Sequence, residues 1–205
     1  MKLESLFRRC LNIEYTHTEH GGDYAFEKIG DTLYIYFEHS RGEGDWKINL
    51  DFPVKPYKRM GKSLWLAHRG FLSSFKNMEK YIYPLIMDAS ISHIVTVGYS
   101  HGGALAVLCH EFAWYNRRDC KIEGYGFGAP RVIWGFLFGK HHRWDNFTVI
   151  RNIDDIVTHL PPALFGYRHV GSLLKIGKKG KYSVTDAHRQ ENILRELRNS
   201  RVDFV

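Results

Sequence analysis

The sequence predicts an α/β fold in which helices cover both faces of a mostly parallel sheet. Apolar runs typical of buried strands alternate along the chain with segments whose apolar residues recur at helical spacing. The chain has 205 residues, 44% of them hydrophobic and 15% aromatic, which is enough to bury a substantial core. Because no linker or low-complexity segment interrupts it, we expect residues 1–205 to form a single domain.

The first part of the chain predicts a short helix and an antiparallel hairpin. Residues 3–11 place their apolar side chains on one side of a helix. Tyr24–Ile29 and Thr32–Phe37 flank a Gly-Asp dipeptide, which is typical of a tight turn between two strands. A further strand is predicted over Lys47–Phe52.

The middle of the chain alternates strands with helices, as expected for a parallel sheet. The predicted strands cover Leu64–Ala67, Ile94–Val97, Ile122–Phe127 and Phe147–Ile150, and the predicted helices cover Phe71–Met87 and Ala104–Tyr115.

The end of the chain predicts a hairpin and a final helix. Leu173–Ile176 and Tyr182–Val184 are candidate strands on either side of a lysine-rich turn. The last helix is predicted over about Arg189–Arg198. The lysines are Lys175, Lys178, Lys179 and Lys181. Such a cluster more often marks a solvated turn than a binding patch.

Charge and cysteine content narrow the possible partners and compartment. Lys and Arg number 29 against 22 Asp and Glu, and the formal net charge of +7 favours anionic surfaces. No nucleic-acid-binding motif accompanies this charge, so we expect no nucleic-acid partner. Three cysteines, Cys10, Cys109 and Cys120, cannot all pair within one chain, which favours a reducing compartment. Residues 1–15 lack the apolar stretch of a secretory signal and no run is long enough to cross a bilayer, so we expect a cytoplasmic protein.

The segment Gly98-Tyr99-Ser100-His101-Gly102 has the pattern GxSxG between a predicted strand and a predicted helix. Glycine is needed at both ends because the nucleophile of such a motif lies on a tight, strained turn. The turn places the Ser100 hydroxyl at the N-terminus of a helix, where the dipole favours developing negative charge. Ser100 is therefore the candidate nucleophile.

A serine hydroxyl needs a histidine base and a carboxylate that orients the histidine. When the order is serine, acid, histidine, the acid belongs at the carboxyl end of a later strand. Asp154 and Asp155 both lie there, and the residues alone leave the two open. His169 and His188 are the leading bases. His188 is favoured because it lies in the loop before the last helix, whereas His169 follows the acidic pair closely with no clear strand or helix between.

Three segments resemble the conserved blocks of the class 3 (fungal-type) lipases in the same order. They are GYSHGGALA, GYGFGAPRV and NIDDIVTHLPPALFGYRHVG, and the resemblance runs from about Phe37 to His188. It implies an α/β-hydrolase fold and hydrolysis of lipid esters through an acyl-enzyme, with no metal or organic cofactor. It selects Asp155, the aspartate followed by Ile-Val, and His188, which ends an Asp-x-His segment. His169 then corresponds to a structural position.

The resemblance also implies the donors that stabilise the oxyanion. One is the backbone N–H group of His101, and the second is Ser40 in the segment FEHSRGEGDWKINL. Glu38-His39 stands where the family usually has Arg-Gly, and His101 replaces a common leucine. The residues Arg41–Trp46 are too few for an elaborate lid and are expected to form at most a small flap.

Several substrates and one silent alternative fit this motif set. Acylglycerol, phospholipid and small soluble esters need the same three residues, and the positive charge favours peripheral contact with an anionic membrane surface. A phospholipase acting on anionic lipid surfaces is therefore an alternative to an acylglycerol lipase or esterase. A third possibility is a catalytically silent α/β-hydrolase fold that binds an anionic membrane or a protein partner.

Overall fold

The computed structural model describes residues 2–18, 22–38, 53–59, 62–135 and 142–200. In chain order the helices and strands are α1 (Leu3–Asn12), β1 (Tyr24–Ile29), β2 (Thr32–Phe37), β3 (Val54–Arg59), β4 (Lys62–His68), α2 (Arg69–Ile86), β5 (His93–Tyr99), α3 (His101–Asn116), β6 (Lys121–Phe127), β7 (Ile133–Trp134), β8 (Phe147–Asn152), β9 (Tyr167–Arg168), β10 (Ser172–Ile176) and α4 (Gln190–Ser200).

A six-stranded sheet in the order β1-β2-β5-β6-β8-β10 forms the centre of the protein. Strand β1 pairs antiparallel with β2, and every other neighbouring pair in this sheet is parallel. The predicted mostly parallel sheet with an N-terminal antiparallel hairpin is therefore confirmed. Parallel strands bring their carboxyl ends to one edge, which is where functional residues of such sheets collect.

Helices cover both faces of this sheet. Helix α3 packs on β5 and β6 and contacts α2, while α1 contacts β5 and α4 from the other side. Side chains alternate along a strand, so Ile94 of β5 joins the core on the first face and Val95 and Val97 join the core on the second. No helix in the described ranges combines the length and apolarity that crossing a bilayer requires.

A second, four-stranded sheet in the order β3-β4-β7-β9 was not predicted. The prediction that Leu64–Ala67 belongs to the alternating strand–helix series is wrong, because β4 pairs antiparallel with β3 and β7 outside the central sheet. Tyr57 of β3 stacks on Trp65 of β4, with ring centroids 4.3 Å apart, and this apolar pair helps to hold the two strands together. The predicted strand over residues 47–52 lies outside the described residues.

The predicted hairpin around the lysine-rich turn is also wrong. Strand β10 forms as expected, but it pairs parallel with β8, and residues 182–184 form no strand. The reason lies in their hydrogen bonds: the Tyr182 hydroxyl donates to Glu196 of α4 at 2.7 Å, and the Val184 carbonyl accepts from Ile156 at 3.2 Å. These bonds draw the segment towards α4 and the loop after β8, away from β10.

Candidate active site

Ser100 lies on a sharp turn between β5 and α3. It is the only residue other than glycine with a positive φ among the described residues, at φ 55° and ψ −120°. Backbone of this kind is strained by roughly 1–3 kcal/mol and is found mainly at functional sites. A Cβ atom on Gly98 would lie 2.0 Å from the Gly102 carbonyl oxygen, and one on Gly102 would lie 2.2 Å from the Phe37 carbonyl oxygen. The two glycines therefore allow the turn to close, as the motif predicts.

The side chains of Ser100, His188 and Asp155 form one hydrogen-bonded series. His188 Nε2 is 2.8 Å from Ser100 Oγ, and His188 Nδ1 is 2.8 Å from Asp155 Oδ2. Asp155 is fully buried, and its second oxygen accepts a hydrogen bond from the Val157 backbone at 2.9 Å. A buried carboxylate is tolerated when its oxygens are hydrogen-bonded in this way. The three residues come from the end of β5, the loop after β8 and the segment before α4, and the structure brings their side chains into contact.

His188 ends a short 3₁₀ turn, Asp186–His188, that is anchored to two strands of the sheet. The Tyr99 hydroxyl donates to the His188 carbonyl oxygen, and Asn152 Nδ2 donates to the Ala187 carbonyl oxygen at 3.0 Å. The Tyr99 ring also stacks on the imidazole, with centroids 5.1 Å apart and planes 28° apart. The orientation of the His188 ring is therefore fixed by Tyr99 and by the anchored 3₁₀ turn as well as by Asp155.

Tyr99 is a site residue that the sequence prediction missed. Its ring contacts Phe7 of α1 edge-on, with centroids 5.5 Å apart, so it fills the space between that helix and His188. Burial, reinforced by the negative charges of Asp155 and Glu191, raises the pKa of Tyr99, which keeps its hydroxyl protonated as a donor. The available signal was an aromatic side chain directly before the nucleophile.

The alternative acid and base lie outside this hydrogen-bonded series. Asp154 Oδ2 accepts a hydrogen bond from the Gly180 backbone at 2.8 Å, in an exposed loop. His169 Nε2 is 2.7 Å from the Thr158 carbonyl oxygen, and burial lowers the pKa of His169 to about 4. A histidine that stays neutral and bonds to backbone fits the structural position implied for it.

Of the two predicted oxyanion donors, only His101 lies within the described residues. It is the first residue of α3, so its backbone N–H group is at the helix N-terminus beside Ser100. Its ring is buried and packs edge-on against Phe71, with centroids 5.4 Å apart. The ring at this unusual position thus contributes to the core. Ser40 and the predicted flap over residues 41–46 lie outside the described residues.

One group of possible metal ligands occurs in the described part of the chain, in the segments before β1 and after β2. The ligand atoms of His17, Asp23 and Glu38 all lie within 4.8 Å of one another. His17 Nδ1 and Asp23 Oδ2 are 2.7 Å apart, so these two atoms already pair with each other.

Comparison with known proteins identifies the family. The sequence profile of the family "Lipase (class 3)" matches residues 34–165. The lipase of Rhizomucor miehei is 29% identical over 150 residues, which are 68% of this chain and 40% of that protein. The secreted mono- and diacylglycerol lipase 1 of Fusarium solani is 33% identical over 178 residues, which are 78% of this chain and 52% of that protein. The matched part of the chain thus spans about half of these relatives' length.

Solved structures show the same fold. A fungal lipase–inhibitor complex, described as a model for interfacial activation, matches with a TM-score of 0.67 and 26% identity, over 78% of this chain and 64% of that one. The lipase of Rhizopus microsporus var. chinensis matches with a TM-score of 0.64 and 22% identity, over 80% of this chain and 60% of that one. Because the family profile matches residues 34–165 and the fold is that of the solved lipases, the chain belongs to the class 3 lipase family.

Proposed function

We propose that the protein is a serine carboxylester hydrolase that acts on lipid esters. The observation that carries the proposal is the hydrogen-bonded series from Asp155 through His188 to Ser100, which lies on a turn at a positive φ. Membership of the class 3 lipase family supports the same reaction. No metal or organic cofactor has a step in it.

The reaction proceeds in two steps. His188 Nε2 takes the Ser100 proton as Oγ attacks the ester carbonyl carbon, and the resulting tetrahedral intermediate collapses when His188 returns the proton to the departing alcohol. Water then attacks the acyl-enzyme, again giving up its proton to His188, and the carboxylic acid leaves as Ser100 regains its hydrogen. Asp155 holds the Nδ1 proton of His188 throughout and stabilises the imidazolium that forms in each step.

The negative oxygen of the intermediate needs hydrogen-bond donors. The backbone N–H group of His101 is proposed as one and Ser40 as the other, and removing one such donor costs about 10²–10³-fold in kcat. The N-terminus of α3 adds favourable dipole charge at the same place.

Lipid is the proposed substrate class, with contact at a membrane surface. Leu164 and Phe165 are large apolar side chains left 85% and 58% exposed, and Ile156, directly after Asp155, is 39% exposed. Exposed apolar side chains on the segment that follows Asp155 fit an amphipathic substrate or its bilayer. The net charge of +7 favours anionic lipid, so a phospholipase acting on anionic surfaces is the second candidate.

We also propose a cytoplasmic location. Cys10 and Cys109 are buried free thiols and Cys120 is a partly buried one, which suits a reducing compartment. Cell fractionation with an antibody to the protein tests this, and recovery from the culture medium would contradict it.

Labelling with a fluorophosphonate probe tests the proposed activity directly. An activated serine becomes covalently phosphonylated, so we expect the adduct on Ser100 in a peptide map. Ser100→Ala should abolish labelling, whereas Ser90→Ala, which removes an exposed hydroxyl elsewhere, should leave it unchanged. A folded protein that takes up no probe at Ser100 would instead indicate the catalytically silent alternative.

Tyr99 is expected to act as a positioning residue for His188. Tyr99→Leu removes both the stacked ring and the hydroxyl, and small displacements of a catalytic group cost up to about 10²-fold, so we expect kcat on a soluble ester to fall about 10- to 100-fold with KM unchanged. Tyr99→Phe keeps the ring and should lose less. A merely structural role would change the melting temperature and leave kcat per folded molecule intact.

A further inference from the structure

Two arginine side chains and a histidine side chain meet at the segment that follows Asp155. Arg151 Nη1 lies 3.4 Å from His159 Nε2. Arg131 Nη1 donates to the carbonyl oxygen of Pro161 at 2.9 Å and to that of His159. Two guanidinium groups and an imidazole therefore share one small region.

The two arginines of this cluster lack the carboxylate partner that several other described arginines have. In the described part of the chain, neither Arg131 nor Arg151 forms an ion pair with a carboxylate. Arginines that do form one are Arg8, Arg9, Arg117, Arg143, Arg189 and Arg198. The two guanidinium groups thus add positive charge that no described carboxylate pairs with, and an anion bound there would offset it.

Burial and the neighbouring positive charges lower the pKa values of His159 and Arg131. Burial lowers the pKa of His159, and the charges of Arg151 and Arg131 lower it further, while the charge of Asp155 opposes them. Burial likewise lowers the pKa of Arg131, and the charges of Arg151 and Arg168 add to the effect. A bound anion would offset both the burial and the repulsion.

Several hydrogen-bond donors of the two arginines remain available. A guanidinium carries five N–H groups, and within the described residues both Arg131 and Arg151 use only Nη1. The Nε atom of Arg151 is buried and has no hydrogen-bond partner there. Lys175, exposed on β10, is the register partner of Arg151 on β8, so a further ammonium group lies on the same strand pair.

We infer that Arg131, Arg151 and His159 form a binding site for a phosphate group. The planar forks of two guanidinium groups match the oxygens of a tetrahedral phosphate, which also accepts more hydrogen bonds than a carboxylate. The phosphate can belong to a lipid headgroup or be free in solution. The exposed side chains of Leu164 and Phe165 follow in the same loop, which would place a bilayer within reach of the site.

Titration calorimetry with inorganic phosphate at constant ionic strength tests the site without any enzymatic readout. We expect Arg151→Gln to weaken phosphate binding at least about tenfold, since it removes a charge-assisted, bidentate contact. Lys179→Gln removes the same charge from an exposed turn and should bind like wild type. No phosphate binding by the wild type, or equal affinity in all three proteins, would overturn the inference.

Two further variants protect the test against misfolding. Arg151→Lys keeps the charge without the fork and should bind with intermediate affinity. His159→Gln changes an exposed side chain of the same cluster and should weaken binding even where Arg151→Gln fails to fold. If His159→Gln and Arg151→Lys both fold and each binds phosphate as tightly as the wild type, the inference is overturned.

Vesicle sedimentation then distinguishes the two sources of phosphate. The proteins are compared on phosphatidylcholine vesicles with and without phosphatidic acid, in a Ser100→Ala background that leaves the lipid intact. Loss of phosphatidic acid binding in Arg151→Gln, beyond that in Lys179→Gln, assigns the site to a lipid headgroup. Equal vesicle binding, with phosphate affinity still lost, assigns it to free phosphate. Either result stands whether or not the protein hydrolyses esters.

Discussion

Replacing Ser100 with alanine should lower kcat for a soluble ester by about 10⁶-fold, the size seen when the nucleophile of a serine hydrolase is removed. The loss is large because every bond-making step passes through Oγ, which the hydrogen bond to His188 Nε2 activates. The measurement is initial rate on a chromogenic short-chain ester, at enzyme concentrations high enough to detect the residual rate.

A second variant shows whether the residues act as one unit. His188→Ala alone should cost about as much as Ser100→Ala, and the double variant should cost little more, because neither side chain works without the other. Ser90→Ala, a serine substitution away from these residues, is the control and should keep the wild-type rate. Losses that simply multiply in the double variant would show that the two residues do not share one mechanism.

Replacing Gly98 with alanine should lower the free energy of unfolding by about 4 kcal/mol or more, at the extreme end of single substitutions. The added Cβ would lie 2.0 Å from the backbone oxygen of Gly102, and backbone on both sides of the turn cannot yield without opening it. Urea denaturation followed by circular dichroism measures the change.

Gly30→Ala is the matched control for that prediction. Gly30 has φ +61°, but nothing lies within 4 Å of the position its Cβ would take. Only the left-handed backbone then opposes the methyl group, at roughly 1–2 kcal/mol. Equal destabilisation by the two substitutions would contradict a contact-driven requirement for glycine at position 98.

The parts of the site that sequence could predict are those where chemistry restricts the residue type. Ser100 stands in a motif that requires glycine on both sides, and His188 precedes a helix at the end of the chain. The choice of Asp155 over Asp154 came from resemblance, and the structure shows why the neighbours differ. The Asp155 carboxylate is buried against His188, whereas that of Asp154 bonds to the backbone of an exposed loop.

Sequence failed where pairing depends on distant partners. Strands β7 and β9 have two residues each, too few to show any periodicity, so these two strands of the small antiparallel sheet left no local signal. The alternation over residues 182–184 looked like a strand, yet Tyr182 is held by Glu196 of α4, a partner that no local pattern reveals. The contact between Tyr99 and His188 is likewise a product of the fold.

The contact of the first helix with Tyr99 links that helix to the catalytic residues along one face of the sheet. Phe7 stacks on Phe127 and meets the edge of Tyr99, and the other side of Tyr99 carries the imidazole of His188. A ligand or modification that moves this amphipathic helix away would remove the support for the Tyr99 ring that stacks on His188. The turn that carries Ser100 would stay unchanged. The rate of proton transfer from Ser100 to His188 would then fall although the nucleophile itself is intact. The face of the sheet that α1 covers is therefore a place from which turnover can be controlled.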